Sequence, residues 1–301
     1  MSAIKKSAGE KIFEGIIYIA LTLFALATLY PFVNMLAISF SSGTAAASNQ
    51  SMIIPHSFTL ENYQAALNYP AIGKAAVVSV LRVVIGTFVK IMVTSMAAYA
   101  YSKKDLLFRN FLAVFFMIPL FVNPGLIPAY LNYRNLHMLD NFAIYVIPSA
   151  FAFFDFVMIR TYIDGIPISL EESAFIDGAG YPRIFIQIVM PMAKPVIAAV
   201  TLFTAVSLWN EWFSSMVYVI TPEKRTMSYT LQRILQEELS KEMLKNSSAM
   251  MGMTDEDELV QTTATTIRMA VIAITTLPIV CVYPFVQKYF AQGMLIGSVK
   301  G

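Results

Sequence analysis

Apolar residues run in six long blocks along the chain, separated by polar connections. The blocks cover residues 12–39, 73–101, 109–130, 141–163, 195–220 and 264–291. A hydrocarbon layer about 30 Å thick takes roughly 20 helical residues to cross, whereas a barrel strand needs only about 9–11. Lipid offers the backbone no hydrogen bonds, so blocks of this length are expected to be helices. The pattern predicts an all-α, polytopic membrane protein with six transmembrane helices, forming a single transmembrane domain over residues 1–301. The sequence TAAAS near Ala47 resembles a signal-peptide cleavage site. The apolar core of a signal peptide is only about 7–15 residues long, so the first block is expected to be a retained span.

The connections set the orientation. Lys5, Lys6 and Lys11 precede the first block, and Lys103, Lys104 and Arg109 lie between the second and third. Arg160, Arg183 and Lys194 flank the connection between the fourth and fifth, and Lys288 and Lys300 lie at the end of the chain. The connection 41–72 has only Lys-free and Arg-free polar sequence, and the next alternate one has only Arg134. Because cytoplasmic loops are enriched in Lys and Arg, both termini are expected in the cytoplasm. The mixed-charge connection 221–263 is expected outside. Within it, Leu231, Ile234, Leu235 and Leu239 recur at helical spacing, which predicts an amphipathic helix. That helix could pack on its own protein or offer a docking surface to an external partner.

Composition agrees with lipid. Hydrophobic residues make up 57% and charged residues 13%, with a mean hydropathy of +0.63, against about 25% charged in soluble domains. The net charge of +2 gives no basis for a nucleic-acid partner. Cys281 is the single cysteine, and His56 and His137 lie in separate connections. No disulfide framework and no metal set is expected.

One connection has a different character. SLEESAFIDGAG, residues 169–180, lies between the fourth and fifth blocks, on the expected cytoplasmic side. Ser169 followed by Glu172 fits a capping box, in which each side chain satisfies a free amide of the first turn. Glu171 and Glu172 suit the positive end of the helix dipole, while Gly178, Gly180 and Pro182 suit a helix stop. A short helix over about 169–179 is predicted. Its Leu170, Ser173, Ala174, Asp177 and Gly178 share one face, opposite Glu172, Phe175 and Ile176. A solvated connector needs neither exposed Phe175 nor Ile176, so both faces are expected to be covered.

The stretch EESAFIDGAGYPRIFIQIVMP resembles the cytoplasmic loop motif of bacterial binding-protein-dependent ABC importer permeases. That motif reads E-A-A, three residues, G, nine residues, I-x-L-P. Here it is Glu172-Ser173-Ala174, Gly178 and Ile188-Val189-Met190-Pro191, with Ser173 and Met190 departing from the pattern. The resemblance extends to the carbohydrate-uptake, maltose-type branch through Trp209-Asn210-Glu211-Trp212, NYQAAL, AAYAYSKK and the tail QKYFAQGMLIGSVKG. Within that branch it is nearest to permeases for complex oligosaccharides. The resemblance implies a multi-pass subunit of the bacterial cytoplasmic membrane. The short helix would be a coupling helix, with Glu171, Glu172, Ser173, Ala174, Asp177 and Gly178 at an ATPase contact, and residues 293–301 near the same partner. It implies a second permease subunit, two cytoplasmic ABC ATPases that bind ATP and Mg, and an extracellular solute-binding protein. The chain itself would carry no cofactor and no catalytic residue.

Charges inside the blocks carry the remaining information. Arg82 and Lys90, with Gly86 and Thr94, form a stripe on the second block, and Asp155, Glu211 and Arg268 lie in the fourth, fifth and sixth. Ionisable residues at such depth face protein or a cavity. Arg82, Lys90, Trp209, Asn210, Glu211 and Trp212 are candidates for a saccharide path, the two Trp by stacking on sugar rings. Pairing within the membrane, such as Arg82 with Glu211, is the alternative. The excess of one cation among these five residues is compatible with an anionic, uronate-containing saccharide, with a neutral sugar as the alternative. Pro119, Pro124 and Pro128 should bend the third block, and Pro278 and Pro284 the sixth.

The chain holds no G-x-x-x-x-G-K-[ST] phosphate loop, G-x-S-x-G elbow or H-E-x-x-H motif. It is therefore expected to be a conduit that needs a separate motor. A peptide or amino-acid importer is the nearest alternative. A self-contained secondary transporter would show inverted repeats or many intramembrane acids, and an intramembrane enzyme would need a catalytic pair that the spans do not supply.

Overall fold

Two of the apolar blocks form long helices of the predicted extent. The computed structural model describes residues 7–48, 53–68, 72–122, 124–237 and 265–281. In it, α1 (Ala8–Ser39) and α4 (Ile72–Ser102) have 32 and 31 residues. At 1.5 Å per residue each is about 47 Å long, enough to cross a bilayer. Between them lie two short helices, α2 (Gly43–Ser48) and α3 (Glu61–Leu67). The described residues are helical or irregular, with an isolated antiparallel bridge from Ser41 to Phe58.

The other blocks are broken. The third divides into α5 (Arg109–Phe121) and α6 (Leu126–Asn135), set 120° apart. Pro119 and Pro124 account for a break here, and Gly125 supplies the φ of 82° from which α6 starts. The fourth block, expected to be continuous over 141–163, is a 3-10 turn at Phe142–Tyr145 followed by irregular chain. Only then does it become α7 (Phe153–Asp164), of 12 residues. Pro148 cannot donate to a helical ladder, and Ser149 Oγ bonds the carbonyls of Tyr145 and Val146, which holds the turn closed.

After α8 (Ile168–Ile176), helix α9 (Tyr181–Met192) contains a π turn at Phe185–Val189. It meets α10 (Lys194–Asn210) at an angle of 81°. Pro195 lies in the first turn of α10, where its missing N–H costs nothing. The fifth block is broken again at Glu211 and Trp212 before α11 (Phe213–Tyr218). Helix α12 covers 227–237, and α13 covers Thr265–Cys281. Two described helices are long and apolar enough to cross a membrane, or up to four if each bent pair counts as one span.

Contacts divide the chain into residues 1–69 with 234–276 and residues 70–233 with 277–301. In the first unit α1 exposes apolar side chains all round, from Ile12 to Leu36, as a helix facing lipid or a partner does. Its N-terminus is closed by a capping box of Ser7 and Glu10. At its other end the buried Asn62 of α3 donates to the carbonyls of Ser39 (2.9 Å) and Ser41 (2.8 Å). Asn62 also accepts a bond from Thr266 of α13 (2.8 Å). In lipid there is no hydrophobic drive between helices, so such polar bonds count.

In the second unit α4 packs chiefly on α7 and α10. One cluster of buried side chains joins Tyr99 and Tyr101 of α4, Phe156, Ile159 and Ile163 of α7, Ala174 of α8 and Ile184, Phe185 and Val189 of α9. A second, toward the other end of α4, joins Met138, Tyr145, Tyr218 and Val219. The predicted amphipathic helix is present in its described part. Met227 is buried and its amide donates to Ser79 Oγ at 2.8 Å, so this part packs on its own protein. Leu239 lies outside the described residues.

Candidate docking helix and transport site

Helix α8 begins one residue earlier than the sequence predicts, and this removes the predicted capping box. Pro167 is the cap, its carbonyl receiving the amide of Leu170 at 3.2 Å, and no side chain caps the helix. Ser169 thus lies inside the first turn, where its carbonyl accepts Ser173 Oγ at 2.8 Å. Of the predicted stop, Gly178 ends α8 at Ile176, short of the expected residue 179, while Gly180 and Pro182 begin α9. Gly178 has φ +79°. Its amide bonds the Phe175 carbonyl (3.0 Å), while the Ala179 amide bonds Ala174 (2.9 Å). These are the two bonds of a Schellman motif.

The faces of α8 differ from those expected. Only Glu171 and Ala174 are buried. Glu172, Ser173, Asp177 and Gly178 are exposed, together with Leu170, Phe175 and Ile168; Ile176 is 87% exposed. Four of the six residues expected at a partner contact therefore face outward, and Glu171 does not. Its carboxylate pairs with Lys103, just beyond α4, and accepts a longer bond from Tyr99 Oη at 3.4 Å. In the sequence Lys103 is an orientation charge, and both it and Tyr99 lie in the AAYAYSKK stretch of the family resemblance, but nothing there pairs either with Glu171.

The charge stripe of α4 points into protein. Arg82 is 3% exposed, lies 4.8 Å from the Tyr145 ring and pairs with Glu211. One of its amino groups also donates to the Glu211 carbonyl at 2.7 Å. That carbonyl is freed by the break between α10 and α11, so the guanidinium replaces a lost helix bond. The other Glu211 oxygen accepts the Ser214 amide at 2.8 Å and starts α11. Lys90 pairs with Asp155 of α7 at 2.7 Å. The pairing offered by the sequence is thus present for Arg82 with Glu211, and Lys90 pairs in the same way. Among the described residues no carboxylate pairs with Arg268. Trp209 is buried, Trp212 half-buried and Asn210 exposed, its amide donating to the Val206 carbonyl at 3.0 Å.

A third polar cluster was not anticipated. Asp140, held at φ 54°, accepts from the amides of Ile220 and Thr221, from Thr221 Oγ1 and from Lys224. The Lys224 bond, then those of Thr221, hold its carboxyl well below the usual carboxylate range. Nearby, Tyr145 Oη meets Ser215 Oγ at 2.7 Å and the Lys224 carbonyl at 3.0 Å. These bonds tie the two ends of the broken fourth and fifth blocks together.

A helical membrane protein with broken spans, charges paired across them and a short helix presenting apolar and acidic residues outward has the makings of a transport subunit driven by a partner. Residues 90–296 match the family described as binding-protein-dependent transport system inner membrane component. The chain belongs to that family, whose members work in membrane-embedded assemblies with a binding protein and an ATPase, and the resemblance read from the cytoplasmic motif is borne out. It is similar to the polygalacturonan/rhamnogalacturonan transport system permease protein YtcP of Bacillus subtilis (strain 168), with 36% identity over 97% of this chain and 99% of that one. It is also similar to protein LplC of the same organism, at 36% identity over 91% and 90%. Among solved structures it resembles a bacterial ABC transporter involved in the import of the acidic polysaccharide alginate. That match has a TM-score of 0.83 and 28% identity over 96% of this chain and 100% of that chain.

Proposed function

We propose that this chain is a translocation subunit of an ATP-driven importer that takes up an acidic oligosaccharide delivered by an extracellular binding protein. The observation that carries the reading is α8, whose outer face offers Ile168, Phe175 and Ile176 beside Glu172 and Asp177, with a full helix stop behind it. Exposed apolar residues ringed by charge suit a protein contact. The expected contact is a cytoplasmic ATPase, one of two that bind ATP and Mg, and Glu172, Ser173, Asp177 and Gly178 are its docking residues. A second permease subunit completes the path. The chain crosses the membrane six times with both termini inside, so that α8 lies in the cytoplasm.

The relatives named for polygalacturonan, rhamnogalacturonan and alginate support an acidic saccharide. In this reading Asn210, Glu211 and Trp212, at the break between α10 and α11, meet the substrate. Arg82 and Lys90 hold that break and its neighbour in place. Discontinuous helices of this kind build transporter sites because they expose polar backbone. The test is ATP hydrolysis by the purified complex in lipid, with its binding protein and either uronate oligomers from partly digested polygalacturonan or their neutral analogues. Stimulation by the uronates alone is the expected result. Stimulation by neutral sugars alone would remove the acidic class, and absence of any co-purifying ATPase would remove the importer.

A further inference from the structure

Three ionic contacts leave one helix. Along α4, Arg82 reaches Glu211 at the span-five break, Lys90 reaches Asp155 of α7, and Lys103, one residue past the end, reaches Glu171 of α8. The last contact is the ionic link that α8 makes among the described residues. Its two side chains are 21% and 12% exposed, and the Lys103 ammonium also lies 4.2 Å from the centre of the Tyr99 ring. A lysine serving only as an interfacial anchor gives its ammonium to water, whereas this one is engaged by a carboxylate and an aromatic ring. The buried face of α8 otherwise consists of Ala174, whose methyl gives little apolar footing. The helix is flanked by Gly165 and Pro167 on one side and by Gly178 and Gly180 on the other.

We propose that Glu171 and Lys103 form a latch that makes α8 and the end of α4 move as one body, so that ATPase closure against α8 is passed along α4 to the Arg82–Glu211 contact. Both are positioning residues: neither touches substrate or nucleotide. The proposal rests on the function given above, since without an ATPase the latch has nothing to transmit. A buried pair suits this role because breaking it leaves an uncompensated charge, so the two helices resist separation. A helix is stiff along its axis, and displacement at Lys103 reaches Lys90 and Arg82 with little loss.

The test uses the complete complex in proteoliposomes, with its partner permease, ATPases and binding protein. Spin labels are placed at Ser169→Cys, on α8 but outside its docking residues, and Val84→Cys in a Cys281→Ser background, both labelled positions being exposed. With the native pair, the distance between labels should stay the same in nucleotide-free and ATP-trapped states. With Lys103→Met it should change. Uptake of the polygalacturonan-derived uronates per ATP hydrolysed should fall roughly 5- to 150-fold in Lys103→Met or Glu171→Gln, the usual range of coupling between sites. The swap Glu171→Lys with Lys103→Glu should restore most of it. A distance that changes with the native pair would overturn the latch. So would single variants with unaltered uptake per ATP, or losses that the swap does not rescue. Failure of any ATPase to co-purify with the unsubstituted chain would instead defeat the importer reading, and the latch with it.

Discussion

Replacing either partner of the Arg82–Glu211 contact should not cost the same. Arg82 is almost wholly enclosed, with its side chain 4% exposed, while Glu211 is 31% exposed. Glu211→Gln leaves a buried guanidinium with neutral acceptors only, the side-chain and backbone carbonyls at position 211 and the Tyr145 ring. Removing one partner of a buried pair costs about 3–5 kcal/mol, and the partial exposure of Glu211 puts the expected loss near about 3 kcal/mol. Arg82→Met leaves a carboxylate that water can reach, plus one carbonyl at the helix break without its donor. An unsatisfied carbonyl costs about 1–3 kcal/mol, so the expected loss is about 2 kcal/mol. The double variant removes both charges and should be little worse than Arg82→Met alone, giving a coupling near the size of the Glu211→Gln loss. Unfolding of the detergent-purified chain by increasing denaturing surfactant, followed for all four proteins, provides the comparison. Arg82→Met costing more than Glu211→Gln, or losses that simply add, would refute the reasoning.

The Asp140 cluster predicts an acid response. Its folded pKa is depressed, so its contribution is fully present above the unfolded value of about 3.9 and is lost as pH falls through the lower, folded value. The stability gap between the native chain and Asp140→Asn should therefore hold from neutral pH to about pH 4 and close only below it, as read by thermal unfolding across pH. A gap that closes between pH 7 and 5 would contradict this. Gly178→Ala meets no atom within 4 Å but must adopt φ +79°; it should cost about 1–2 kcal/mol, measured by the same unfolding assay. Gly178→Arg should still insert in membranes yet lose uptake, and undiminished uptake would remove the docking role of α8. A Cβ at Gly86 would stand 2.9 Å from the end of the Leu208 side chain. Gly86→Ala should thus be tolerated within about 1 kcal/mol, whereas Gly86→Leu, which overpacks the contact with α10, should cost about 1–3 kcal/mol.

Hydropathy locates α1 and α4 well because both helices run unbroken through their blocks, α1 even past the internal Pro31. It misreads the fourth and fifth blocks for different reasons. Pro148 and Ser149 were visible in the sequence, yet a window averaged over apolar neighbours hides them. The break at Glu211 has no proline or glycine to announce it. It exists because Arg82 and the Ser214 amide satisfy what the helix gives up, and that is a tertiary fact. The pairing of Arg82 with Glu211 was among the sequence readings, since two opposite charges at depth must find something. The latch was not: Lys103 looked like one of several interfacial cations, and only the fold brings it to Glu171. The capping box shows the limits of a short motif. S-x-x-E occurs at both Ser7 and Ser169, and it closes a helix only at Ser7, where no proline offers an earlier start.

The ionic contacts of α4 also say something about how the chain is made. Arg82 emerges 129 residues before Glu211, and at about 5–20 residues per second the interval is on the order of ten seconds. During that time α4 must occupy the bilayer with Arg82 unanswered, and for about half of it with Lys90 unanswered too, each costing about 2.5–3.5 kcal/mol at mid-helix. The nascent helix is then an incomplete object, held by the apolar remainder of its length or by the insertion machinery until α7 and α10 arrive. A truncated product ending before Asp155 should be a poor resident of the membrane and an early target of quality control.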